Sequence, residues 1–175
     1  IQMQLRFGDI AVPMTNGYGF ATHRTLLLLQ HLFIIPQACQ SFEMTDLTTR
    51  SGAPLSKLTF GTMQFGGKAD EAESKALFEA AWQSGINHFD TAYIYTGGAS
   101  ESILGPLIKP ARDDIYLATK AGYTNGAGRA QILEHFDISR KRMNEDAVDL
   151  LYMHRFDDNT PLEDTFTTLA ELQSK

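Results

Sequence analysis

The sequence predicts an α/β fold in which four strand-helix units follow one another, with parallel strands buried between helices. Short apolar, β-prone runs alternate four times with segments of helical period. Right-handed crossovers between such strands leave either an open doubly wound sheet or a closed β/α barrel. The polar residues Thr62, Asp90, Lys120 and His154 each fall at or next to the carboxyl end of a different strand. That placement favours the barrel, because in a barrel those ends converge on one mouth.

The elements follow in order. Around Ser51-Gly52-Ala53-Pro54, two β-prone stretches between 48 and 61 suggest a hairpin that covers one end, ahead of a first strand over 58–65. Asp70 with Glu73 forms a capping box. The helix it opens has Ala76, Leu77, Ala80, Ala81 and Ser84 on one face and stops at Gly85. A short buried strand over 86–90 leads to a brief helix capped by Ser100, with Ile103, Leu104 and Leu107 inward, ending before Pro110. The third unit is a strand over 114–120 and a helix over 129–143, with Ile132, Leu133, Phe136 and Met143 inward. The fourth is a strand over 147–154 and a helix opened by Thr160 as N-cap, Pro161 at the first helical position and Glu163 as the capping acid. Leu162, Phe166, Leu169 and Leu172 form its apolar face.

At 175 residues the chain suffices for one compact domain, and 43% hydrophobic with 21% charged residues is an ordinary globular composition. A net charge of −6 and a pI near 5.3 provide no basic field for nucleic acid or an anionic membrane surface, so a small-molecule substrate is the expected partner. With the single cysteine Cys39, no intramolecular disulfide forms and a cytoplasmic setting is the default. The first 43 residues hold only two of the 21 acids, Asp9 and Glu43, which places a composition break near Met44. The expected organisation is a leader at 1–43 outside the fold and a domain over 44–175. The apolar run at 26–35 has the length of a signal-peptide core, but it lacks a small-residue cleavage site, so export is the weaker expectation.

Taken singly, the strand-end residues have ordinary explanations. Asp90 before Thr91 suits a turn cap, Tyr95 or its neighbour Tyr93 suits packing, Lys120 suits a solvated loop start, and His154 suits a structural histidine. Jointly they form a pattern. The stretch Gly85-Ile86-Asn87-His88-Phe89-Asp90-Thr91-Ala92-Tyr93-Ile94-Tyr95 is similar to the aldo-keto reductase signature. Leu58-Thr59-Phe60-Gly61-Thr62-Met63, Ala118-Thr119-Lys120 and Asp149-Leu150-Leu151-Tyr152-Met153-His154-Arg155 resemble that family's first, third and fourth strand segments.

The resemblance, which covers about 47–175, implies a TIM (β/α)8 barrel of which the first four units are present, and reduction of aldehydes or ketones by a nicotinamide cofactor. It implies Asp90, Tyr95, Lys120 and His154 as catalytic residues, and Gly61, Thr62, Met63 and Asp90 near the nicotinamide. In that scheme Tyr95 is the general acid, Lys120 the cation that favours its ionisation, Asp90 the carboxylate that holds Lys120, and His154 the group that orients the substrate oxygen. NADPH is the expected cofactor, with NADH not excluded. A barrel of this kind takes about 250 residues and eight units, so the sequence reads as a truncated chain, expected to self-associate and to be inactive by itself. A non-catalytic relative, of the kind that serves as a cytoplasmic potassium-channel subunit, is the alternative, and an inert fragment the third.

Two glycine-rich stretches are set aside. Residues 61–67 lack dinucleotide-fingerprint spacing and Lys68 is not followed by Ser or Thr, while 122–128 suits a mouth loop. His88 lies within a buried strand and is expected to be structural. His23, His31 and His135 have no acidic or histidine partner at ligand spacing, so no metal is expected.

Overall fold

The structure, a computed structural model, describes residues 3–7, 10–14 and 47–174. Its six strands form one sheet in the order β1-β2-β6-β5-β4-β3. The strands β3 (Thr59–Gly61), β4 (His88–Asp90), β5 (Tyr116–Ala121) and β6 (Leu150–Met153) are parallel throughout. They are the four strands of the expected units. At the β6 edge, β1 (Met3–Phe7) and β2 (Ile10–Met14) form an antiparallel pair, with Ile10 opposite Leu151 and Ala11 opposite Tyr152 in parallel register. The expected boundary near Met44, the apolar run at 26–35, Cys39, His23 and His31 lie outside the described residues.

Four helices connect and cover the parallel strands: α1 (Glu71–Gln83), α2 (Ala99–Ile108), α3 (Arg129–Met143) and α4 (Leu162–Gln173). The capping box of α1 is formed in both directions, Glu73 N to Asp70 Oδ1 at 2.8 Å and Asp70 N to Glu73 Oε2 at 3.3 Å. Asn144 in the left-handed conformation ends α3. Two expected caps are corrected. Ser100 lies inside α2, whose N-cap is Gly98, and Pro161 rather than Thr160 is the N-cap of α4. Both hydroxyls are bonded elsewhere: Ser100 Oγ donates to Thr62 O at 2.8 Å, and Thr160 Oγ1 donates to Asp157 Oδ2 at 2.5 Å.

Parallel register sets the two faces of the sheet. Phe60, Phe89 and Leu117 face the helices, where Phe65, Phe78, Ala81, Leu104, Ile108, Ile115 and Met143 complete the main core. Residues one step along face the concave side, where Tyr116, Ala118 and Leu150 cluster with Leu47, Leu55 and Tyr152. The helix faces are turned in part from those expected: Ala81, Leu104, Ile132, Met143 and Leu169 are buried as expected, and other positions differ. In α1 the buried residues are Ser74, Phe78 and Ala81, and Leu77 is exposed. In α3 they are Ile132, His135, Ser139 and Met143, and in α4 Thr165, Thr168 and Leu169. The hydrophobic period of these short helices is satisfied about equally by two neighbouring stripes, and contact with the strands selects one.

Strands shorter than expected and long segments at their carboxyl ends shape the functional end of the sheet. Its other end is closed by the turn at 48–54, where Thr48 bridges Pro54 and Ser51 N donates to Asp113 O at 2.9 Å.

Candidate active site

Asp90 ends β4 and Lys120 lies one strand away near the end of β5, both with side chains on the concave face. The Lys120 ammonium donates to Asp90 Oδ1, and to Thr91 O at 2.7 Å. It stands 4.8 Å from the centroid of the Tyr95 ring and 5.8 Å from that of Tyr152. His154, one residue past β6, presents its ring edge to Tyr95 with centroids 5.7 Å apart. Asp90, Lys120 and His154, which the sequence places at separate strand ends, therefore meet with Tyr95 at one mouth.

The electrostatics follow from partial burial. Desolvation pushes the Asp90 carboxyl above its ordinary range, and the Lys120 ammonium opposes that shift without cancelling it. Burial, reinforced by the Lys120 charge, pushes His154 down, so its imidazole is neutral at physiological pH. Nδ1 of His154 is buried without a hydrogen-bond partner among the described residues. An orphaned polar atom at an otherwise well-bonded mouth is a place for a ligand atom.

The two neighbouring tyrosines are separated by their surroundings. Tyr93 stacks on the His135 ring, with centroids 4.0 Å apart and planes at 14°. Its backbone N donates to Lys120 O at 3.2 Å and its carbonyl accepts from Arg142 Nη1 at 2.7 Å. Tyr95 alone faces Lys120 and His154. The segment between them and α2 turns through Thr96, Gly97 and Gly98 at φ of 50°, 65° and 100°. Thr96 in that region is strained, and its hydroxyl is bonded on both sides, donating to Phe65 O at 2.6 Å and accepting from Ser100 N at 3.0 Å.

The residues expected near a nicotinamide divide. Gly61 pairs in register with Asp90, and a Cβ built on it would meet no atom within 4 Å, so open space lies above Asp90. Met63 is exposed beside it. Thr62 is fully buried, its N and Oγ1 both bond Asp90 O, and Oγ1 also lies 2.9 Å from Ser100 Oγ. With its polar atoms used inside the protein, Thr62 fastens β3 to β4 and does not reach the cleft. The open space at Gly61 has room for a flat ring.

Other histidines are packed. His88 Nδ1 lies 2.9 Å from Thr59 Oγ1 and its ring is edge-on to Tyr116, while His135 accepts from Gly122 N at 3.2 Å. A separate apolar groove of about 680 Å³ lies between α3, α4 and β6, lined by Leu133, Phe136, Leu151 and Leu169 among others, away from the mouth. Sequence reasoning passed over one pair next to the site, Glu101 and Arg142. A glutamate on the inward side of an apolar helix was the available signal.

Residues 57–175 match the sequence profile of the Aldo/keto reductase family. An L-glyceraldehyde 3-phosphate reductase of Escherichia coli is 36% identical over 135 residues, covering 69% of this chain and 39% of its own length. A probable voltage-gated potassium channel subunit beta of Arabidopsis thaliana is 36% identical over 126 residues, covering 66% and 38%. Among solved structures, an aldo-keto reductase from Bacillus halodurans in holo form superposes with a TM-score of 0.63 at 29% identity, over 75% of this chain and 47% of that one. A thermostable aldo-keto reductase in complex with the inhibitor epalrestat gives 0.64 at 30% identity, over 74% and 49%. The chain thus spans about two fifths of the length of these curated relatives. It belongs to the aldo/keto reductase family, and its four parallel units are the first units of that family's barrel.

Proposed function

From that membership we propose that the protein is a nicotinamide-dependent oxidoreductase that reduces aldehydes or ketones to alcohols, with Tyr95 as general acid. The observation that carries this reading is the Lys120 ammonium, fixed by Asp90 and Thr91 O and held over the Tyr95 ring, with His154 also against that ring. Hydride for the carbonyl carbon is the chemistry that reduced nicotinamide supplies when bound. Gly61 and Met63 would border it, and Asp90 would lie beneath it. As negative charge grows on the carbonyl oxygen, Tyr95 hands its phenolic proton to that oxygen and Lys120 stabilises the phenolate left behind. Asp90 keeps the ammonium in place, and neutral His154 offers a ring nitrogen to the substrate oxygen. One hydride and one proton complete the alcohol.

NADPH is the proposed cofactor, with NADH as competitor in the same assay. The cytoplasm is the proposed place of action, and no helix among the described residues is long and apolar enough to cross a membrane. The test is cofactor oxidation with simple aldehydes by a version of the protein that carries all eight barrel units. Tyr95→Phe should lower kcat by about 100-fold or more while leaving the cofactor's Kd within about 2-fold, because it removes a proton donor and no packing volume. Near-normal turnover in that variant would overturn the assignment. The channel-subunit relative supports a second reading, regulation of a membrane partner. Co-purification with a potassium channel in the absence of aldehyde turnover would favour it.

A further inference from the structure

Glu101 is a fully buried carboxylate that the proton-transfer scheme does not use. It sits in the first turn of α2, behind the sheet. On β5, Lys120 points to the concave face, so the preceding residue, Thr119, points to the helices, and its hydroxyl donates to Glu101 Oε1 at 2.8 Å. The other oxygen, Oε2, accepts from Arg142 Nη1 at 3.1 Å, from two turns past His135 on α3.

The same Arg142 nitrogen donates to Tyr93 O at 2.7 Å, and its guanidinium carbon stands 4.9 Å from the Tyr93 ring centroid. The guanidinium also lies flat against Gly98, where a Cβ would come within 2.3 Å of Cζ. Arg142 thus holds residues 93 and 98, which flank Tyr95 in a turn whose left-handed Thr96 would not choose that shape unaided. Through Thr119 the carboxylate holds the strand position next to Lys120.

We propose that Glu101 and Arg142 are a positioning pair that fixes the Tyr95 ring against the Lys120 ammonium by tying the Tyr95 turn and the Lys120 strand to one buried carboxylate. The proposal rests on Tyr95 being the proton donor. A neutral acceptor would satisfy Thr119, but a guanidinium needs an anion to stay this close to the interior. Burial of a charge here, rather than an apolar side chain, is explained by the backbone atoms that the pair reaches.

The experiment compares two substrate classes in the same eight-unit version of the protein, loaded with cofactor. Reduction of an aldehyde needs a strong proton donor, whereas reduction of an ortho-quinone leaves a stabilised oxyanion that does not. Arg142→Met should lower kcat for an aldehyde by about 10-fold or more and for the quinone by less than about 3-fold, with the NADPH Kd from fluorescence titration within about 2-fold. Glu101→Gln should show the same pattern, and Arg142→Lys, which keeps the charge but loses the planar contact with Tyr93 and Gly98, should fall between. If Arg142→Met does not fold, the Lys and Gln variants decide. Parallel losses on both substrates, or no loss on either, overturn the positioning role. A Tyr95→Phe control that keeps aldehyde turnover overturns the proton-donor reading instead.

Discussion

Buried charge is treated differently at the two ends of the sheet. At the amino ends of β5 and β6, Arg112 is only 8% exposed and its donors are consumed. Nε donates to Glu145 Oε2 at 2.9 Å, Nη1 to Ile115 O at 2.8 Å, and Nη2 lies 2.7 Å from Asp149 Oδ2 and 3.2 Å from Ala147 O. Asp149 is shared further, accepting from Arg50 Nε at 3.1 Å and from Leu117 N at 2.8 Å. At the carboxyl ends, Lys120 is likewise bonded, but His154 Nδ1 has no partner among the described residues, Thr96 is strained and Asp90 is held in a setting that disfavours its charge. One end spends its charges on holding strands in register. The other keeps groups poised at some cost in stability, the division expected between the scaffold and the reactive face of such barrels.

The comparison breaks most readily at Arg112. Arg112→Met would leave Glu145 and Asp149 facing the interior without their cation, and should cost about 3–5 kcal/mol in chemical denaturation, enough to unfold a marginal domain. A loss below about 1 kcal/mol would mean that the network is not what holds these strand ends. A smaller effect is expected where the mouth stores strain. Gly98→Ala combines a left-handed φ of 100° with the Arg142 contact, and should cost about 1–3 kcal/mol by the same measurement. A neutral result would show that the turn at 96–98 relaxes freely.

The smallest change is expected at Asp90, and it separates the two ends by sign. Because the folded protein raises the Asp90 pKa above its unfolded value, the carboxyl favours folding below the unfolded value and loses that contribution as pH rises through the folded one. Asp90→Asn should therefore be no less stable than the parent at neutral pH, with any gain shrinking as pH falls into the carboxylate range. Denaturation midpoints taken across that range check this. An Asp90→Asn variant that is strongly destabilised at neutral pH would place Asp90 with the scaffold charges instead.

Much of this was legible from the chain because it is local. The capping box at Asp70 and Glu73 spans one turn, the four alternations of strand and helix are each set by nearby periodicity, and α3 runs over 129–143 as its pattern predicts. Asp90 and Tyr95 belong to one short stretch, and Lys120 and His154 are recognisable as the last polar positions of apolar runs. Such features depend on backbone conformation within a few residues.

What only the tertiary structure decided involves partners far apart in sequence. That Tyr95 rather than Tyr93 faces Lys120 depends on His135 and Arg142 arriving from α3 to take Tyr93. Thr62 is withdrawn from the cleft because Ser100 reaches it from 38 residues away, and Glu101 can be buried because Arg142 meets it from 41. A strand of three residues, such as Thr59–Gly61, carries too few alternations to announce which face its neighbours will bury, and a charged side chain is buried or solvated according to whether a distant counter-charge is delivered to it. The sequence alone determined the units and the reactive residue types, while three-dimensional contact determined which hydroxyl, ring and carboxylate each would serve.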